Sequence, residues 1–210
     1  MMMKKMGVIA LAAVCGSAYA FDFSGGVGGG AIGDGAGSNT AGVARVITLT
    51  VSGTGQTVTG LTLAGGLGMT HTWLGDLTVV LSRGAVSVDL MDRNYRTTQT
   101  SFGLSSDLAG NYMFTNTVGD TMTASSAAGT HSRWNGSTGG GSTAAAGTFA
   151  GFNGVALDGV WTLTVTDWAG GDVGAIQGMR IVGTAVPEPA SMAALGLGAA
   201  ALLRRRRKNA

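Results

Sequence analysis

Alternation of apolar and polar residues with a period of two constrains this chain more than any other feature. In RVITLTV, Ile47, Leu49 and Val51 fall on one face and Val46, Thr48 and Thr50 on the other. The same alternation recurs in DLTVVLS (Leu77, Val79, Leu81), in AVSVDLM (Val86, Val88, Leu90) and in VWTLTVT (Trp161, Leu163, Val165 against Thr162, Thr164, Thr166). Val58, Leu61 and Leu63 mark a further strand beyond a turn at Gly53 and Gly55, and IQGMRIV closes the series. The break at Arg83-Gly84 predicts a tight hairpin between two of these strands. A short strand is expected at Tyr112 to Thr115 within an otherwise aperiodic stretch from Asp92 to Gly151. Short strands, Gly-rich turns and no helical period inside this region predict an all-β fold, a jelly-roll β-sandwich.

The two ends of the chain read differently. Lys4 and Lys5 precede an apolar stretch from Gly7 to Val14, and Ala18 and Ala20 frame a small-x-small site. Residues 1–20 therefore read as a secretory signal peptide cut before Phe21. Cys15, the one cysteine, lies inside it, so no disulfide is expected in what remains. Nine glycines between Ser24 and Gly42 suggest a flexible leader or an irregular entry, and residues 21–30 are set apart as that leader. The sandwich is assigned to residues 31–184 and the tail to 186–210.

That tail has three parts. Pro187, Glu188 and Pro189 interrupt regular structure; Ala190 to Leu203 is uncharged; Arg204, Arg205, Arg206, Arg207 and Lys208 follow. Fourteen weakly apolar residues fall short of the ~20 needed to span a bilayer, so a short apolar helix with only marginal membrane affinity is expected. The cations would be held at a cytoplasmic face at about 1 kcal/mol each. The triplet resembles the PEP-CTERM sorting signal of Gram-negative bacteria, which implies recognition and removal by an exosortase-type membrane protease. The corresponding expectation for localisation is export to the cell surface or beyond, with transient anchoring in the inner membrane.

Composition sharpens the picture once the tags are set aside. Residues 21–186 contain six arginines and ten aspartates, a net charge of −4, and no Lys or Glu. The basic balance of the whole chain belongs to its ends, and nucleic-acid binding, which needs a basic patch, loses its electrostatic basis. Missing Lys and Glu also disfavour exposed helix.

Two further segments, Thr70 to Leu90 and Gly154 to Val182, resemble the P domain, or Homo B domain, that accompanies subtilisin-type serine proteases. The residues carrying the resemblance are His71, Gly75-Asp76-Leu77, the set Gly159, Trp161, Leu163, Val165 and Asp167, and Gly171-Asp172 with Gly174. It implies a jelly-roll fold and a non-catalytic domain associated with proteolysis. It also admits calcium at Asp76, Asp167 and Asp172, which stand in or beside Gly-containing turns, as hard cations favour carboxylates and backbone carbonyls. The alternative is that such aspartates close their own turns, and no dense calcium-binding run is present.

Other chemistry is thinly supported. Only His71 and His131 could serve as bases, sixty residues apart and without the sequence contexts of a subtilisin-like triad. His71 reads as a packed structural residue rather than a zinc ligand. Trp73 and Trp168 could stack on sugars, but packing is the simpler role. The expected function is an exported, non-catalytic sandwich with a structural or matrix-binding role, whose partner is extracellular polysaccharide or a matrix protein. The competing expectation is an accessory domain that stabilises or regulates a subtilisin-like protease in trans.

Overall fold

A computed structural model of the chain describes residues 17–93, 102–118, 128–133 and 147–208. Eleven strands fall in these residues: β1 (Tyr19–Gly25), β2 (Gly30–Ala31), β3 (Arg45–Val51), β4 (Gln56–His71), β5 (Leu77–Arg83), β6 (Val86–Asp92), β7 (Leu108–Val118), β8 (Gly129–Arg133), β9 (Gly159–Asp167), β10 (Gly174–Ile176) and β11 (Gly178–Pro187). One helix, α1 (Pro189–Lys208), follows β11. Most of the expected signal peptide, with Lys4, Lys5 and Cys15, lies outside the described residues, as do Tyr95 and Trp134.

The strands make two sheets. The smaller has the order β3-β9-β5-β6 and is antiparallel throughout. Period-two alternation explains it directly: Leu163 of β9 lies between Ile47 of β3 and Leu81 of β5, and all three are buried. The intervening threonines 162, 164 and 166 sit on the half-exposed outer face. Arg83 pairs with Val86 across a two-residue turn, where Gly84 takes the positive φ (60°) that a primed hairpin turn requires.

The larger sheet has the order β1-β11-β4-β10-β2, with β7 paired to β4 and β8 to β7. Its buried side chains, among them Val58, Met69, Tyr112, Phe114, Ile176 and Ile181, join those of the smaller sheet in a single core. Each buried Leu, Ile or Phe contributes roughly 1.5–3 kcal/mol, so a disulfide-free core of this size suffices for folding. β7 and β8 run parallel, so the antiparallel pattern expected of a jelly roll does not extend to this pair.

Two expectations are revised. β1 occupies Tyr19–Gly25 and so takes up the first half of the segment 21–30 that composition assigned to a leader. It pairs residue for residue with β11, from Tyr19 opposite Ala185 to Gly25 opposite Met179. The physical reason is the Phe21-x-Phe23 pair, which stacks at 5.9 Å and buries Phe21 against the core. The strand expected at Tyr112 to Thr115 is also longer, eleven residues from Leu108 to Val118, because β4 supplies a sixteen-residue partner.

Candidate functional site

Polar clusters stand at the two ends of β9. At its C-terminal end, Asp167 accepts a hydrogen bond from the Ala169 N–H at Oδ1 (3.0 Å) and faces His71 Nε2 with Oδ2 (3.2 Å). His71 ends β4 and is 1% exposed. An ionised carboxylate only accepts, so Nε2 carries the hydrogen of that contact. Nδ1 lies 3.1 Å from the Trp73 N–H and 2.9 Å from the Trp73 carbonyl, so both ring nitrogens are engaged by protein. Gly174 pairs opposite His71, and a Cβ there would collide with the imidazole ring and the Thr70 carbonyl. Only glycine permits β10 to approach this closely.

Asp76 closes a single 3-10 turn over Leu74–Asp76 and is fully buried. Its Oδ1 lies 3.4 Å from Arg93 Nη2, and Oδ2 has no hydrogen-bond partner among the described residues. Desolvation pushes its pKa up to about 6; the Arg93 guanidinium opposes the rise, while Asp167 and Asp172 add to it. Arg93 sits just past β6 at φ 40°, a left-handed conformation uncommon for a side-chain-bearing residue. Its guanidinium donates to the carbonyls of Gly75 (3.3 Å) and Ser38 (3.1 Å) and to Asn39 Oδ1 (3.1 Å). One buried cation thereby ties the loop before β3, the 3-10 turn and the end of β6 together.

Asp172 lies nearer the surface and accepts from the Thr72 hydroxyl at 2.8 Å. The structure thus gathers His71, Gly75, Asp76, Leu77, Asp167, Asp172 and Gly174 at one end of the molecule, with Leu77 paired directly opposite Asp167. Among the described residues, no three His, Cys, Asp or Glu side chains are arranged to hold a metal ion. Trp73 and Trp168 flank this end, and their indole N–H groups donate to the Phe102 carbonyl (2.7 Å) and the Thr78 hydroxyl (3.0 Å). His131 stands apart on β8, opposite Phe114 and stacked on Tyr112 at 5.8 Å. Trp161 belongs to the other end of β9, buried against Phe152 (5.3 Å) with its indole N–H on the Leu157 carbonyl (3.0 Å).

At that other end, Asp158 precedes β9 and reaches across to the β3–β4 turn. Its carboxylate accepts from the Thr54 N–H (3.0 Å), the Thr54 hydroxyl (2.7 Å) and the Gly55 N–H (3.0 Å). Those bonds, the Gly55 N–H foremost, hold its pKa below the ordinary carboxylate range. The turn in turn meets the tail: Val186 pairs with Thr57, Pro187 with Gln56, and the Glu188 N–H donates to the Gly55 carbonyl (2.9 Å). Pro189 opens α1, a position where its missing N–H has no helical partner to lose. Leu195, Leu197 and Leu202 of α1 are exposed, as are Arg204 and Arg205. Among the described residues, no helix is long and apolar enough to cross a membrane. At the amino end, Ala18 is exposed ahead of β1, and Ala20 already pairs with Thr184.

Residues 185–208 match the family model described as the PEP-CTERM protein-sorting motif. No curated protein and no solved structure matches the chain, and the family scan returns no P domain. The match agrees with the triplet of Pro187, Glu188 and Pro189, the uncharged run and Arg204 to Arg207. Such signals are recognised by exosortase-type sorting proteins, and the chain is accordingly an exported protein sorted to the cell surface.

Sequence reasoning did not single out Arg93 or Asp158. Arg93 counted only as one of six arginines, although a cation so close to a run of buried strand residues needs a buried acceptor set. Asp158 had a local signal, an Asp-Gly pair immediately before a strand.

Proposed function

We propose that the part of the chain between its two tags is a non-catalytic β-sandwich displayed on, or released from, the bacterial cell surface in a structural or matrix-binding role. The observation carrying this reading is the sorting motif at residues 185–208, continuous with the last strand of the sandwich. Two features support it. The outer face of the smaller sheet presents Thr48, Thr50, Thr162, Thr164 and Thr166, a hydroxyl-rich surface suited to neutral polysaccharide or another matrix protein. His71, which lies beside the Asp167 carboxylate, has both ring nitrogens committed inside the protein.

In this reading α1 holds the precursor at the inner membrane only transiently, through its marginally apolar run and its terminal cations. Asp76, Asp167 and Asp172 close turns rather than bind calcium. Fractionation of cells that carry the sorting protease tests the proposal: the tail-less form should be retained by purified extracellular matrix. A mature fragment that stays in the soluble fraction with matrix present overturns the matrix role. Adding EDTA should leave Tm unchanged; a calcium-dependent rise would restore the metal, since ligand at 100 times its Kd adds about 2.7 kcal/mol.

A second reading rests on the gathering of His71, Asp76, Asp167 and Gly174, part of the P-domain-like motif set, into one knot. In it the sandwich stabilises a separate subtilisin-like protease in trans. Co-purification with such a protease, and a higher Tm of that protease in the complex, would favour this reading over matrix binding.

A further inference from the structure

A protease that removes the tail must take the polypeptide around Pro187 to Pro189 in an accessible, extended form, and cleavage concentrates where backbone is unpaired and exposed. That segment is not free here. β11 remains paired with β4 through Pro187, the Glu188 N–H is bonded to the Gly55 carbonyl, and α1 begins at the next residue. Between the end of the sheet and the start of the helix stands a single residue, Glu188.

The surface that receives the motif is itself fixed. Gly55 belongs to the turn clamped by Asp158 through the Thr54 and Gly55 N–H groups and the Thr54 hydroxyl. The Gln56 carbonyl accepts from the Leu157 N–H at 2.8 Å, and Thr57 bridges to Ala156. The segment 156–158 thus holds residues 54–57 from behind while the sorting motif pairs with them from the front. On the far side, β11 is covered only as far as Ala185, where Tyr19 begins β1. The signal-peptide cut expected after Ala20 removes Tyr19 and Ala20, so among the described residues the backbone of 184–188 then keeps its pairing to β4 and its turn.

We propose that the Asp158-clamped β3–β4 turn is a latch that sequesters the PEP motif, and that release of the last pairs of β11 sets the rate at which the sorting protease gains the motif. The inference rests on the sorting reading above. The latch works by competition: the motif's backbone is bonded either to residues 55–57 or to the protease, never to both. Its strength is tuned at Asp158, outside the motif, so the sandwich controls its own release without altering the signal.

The test uses the full-length precursor. Asp158→Ala removes the clamp while leaving residues 185–208 intact. In cells carrying the sorting protease, pulse-chase of this variant should show loss of the tail several-fold faster than wild type. The opposite arm pairs Thr57→Cys with Val186→Cys, across from one another in register; with Cys15 removed with the signal peptide, the two new thiols can pair only with each other within the chain. Oxidised, this precursor should retain its tail, and a reducing agent should restore processing. On purified precursors, proteinase K should nick residues 186–189 sooner in Asp158→Ala than in wild type, with the rest of the sandwich equally resistant. Equal nicking, or equal processing of wild type, Asp158→Ala and the oxidised pair, overturns the latch. If no form loses its tail in cells, the sorting reading falls, and the proteinase K comparison still decides whether the motif is held.

Discussion

The two ends of β9 solve the same problem, the placement of an aspartate beside a turn, in opposite ways. Asp158 stays near water and receives N–H and hydroxyl donors from Thr54 and Gly55, so its charged form is favoured. Asp76, in the knot at the far end, is fully buried with one long contact to Arg93 and an unpartnered second oxygen, so its charged form is penalised. Donor count and solvation, rather than residue type, decide which carboxylate supports the fold at neutral pH. The knot is therefore the rigid, costly end of the molecule, and the latch is the cheap, adjustable one.

The sharpest way to break this contrast is Asp167→Ala. It leaves the buried His71 Nε2 and the Ala169 N–H without their acceptor, and denaturant titration should show a loss of about 1–3 kcal/mol for each group left unsatisfied. A loss comparable to that of an exposed substitution would mean the knot is not a rigid end.

Next comes pH. Because the folded-state pKa of Asp76 is raised to about 6 from an ordinary 3.8, the folded protein binds its proton more tightly than the unfolded chain does. The associated stability is full below about pH 4 and lost as pH rises through 6, a change of about 3 kcal/mol from this group. Asp158 works the other way: its contribution is present above the ordinary carboxylate pKa and disappears as pH falls through its depressed folded value. Melting curves across pH 3–8 should show the Asp76 slope in wild type and its absence in Asp76→Asn. An unchanged slope in the variant would assign it to another group.

Asp158→Ala itself should lower Tm less than Asp167→Ala while opening residues 186–189 to protease. A variant that loses global stability without local opening would remove the distinction between the two ends. The smallest effect is expected at the exposed pair of Arg180 with Asp22, where the guanidinium reaches both carboxylate oxygens at 2.8 and 2.5 Å on the outer surface. Arg180→Ala should leave Tm within experimental error, as solvent screens such pairs.

Much of the architecture was legible because period-two alternation reports burial directly. β3, β5, β6 and β9 lie where Ile47, Leu77, Val88 and Leu163 placed them, each buried as expected. The larger sheet was less legible for a physical reason. The last ten residues of β4 read TLAGGLGMTH, in which glycines at 65, 66 and 68 hide the pleat, and β1 offers only two phenylalanines between the expected signal peptide and a glycine run. The knot's acidic members and His71 were named from the sequence only through a resemblance to the P domain, which the family comparison does not support. Arg93 was not, because nothing local distinguishes a buried arginine from a solvated one. Likewise, Pro187 and Pro189 suggested a break in structure, whereas Pro187 still ends a strand: at its position the neighbouring Glu188 N–H makes the bond to the turn.

The pairing of β1 with β11 has a geometric corollary. Tyr19 stands beside Ala185, so the chain enters and leaves the sandwich at a single corner. A precursor held by its tail would hang from that corner alone, with β9 running away from the lipid and the Arg93 knot at the distal tip. For as long as the tail holds it, that distal end would be the part of the molecule farthest from the membrane.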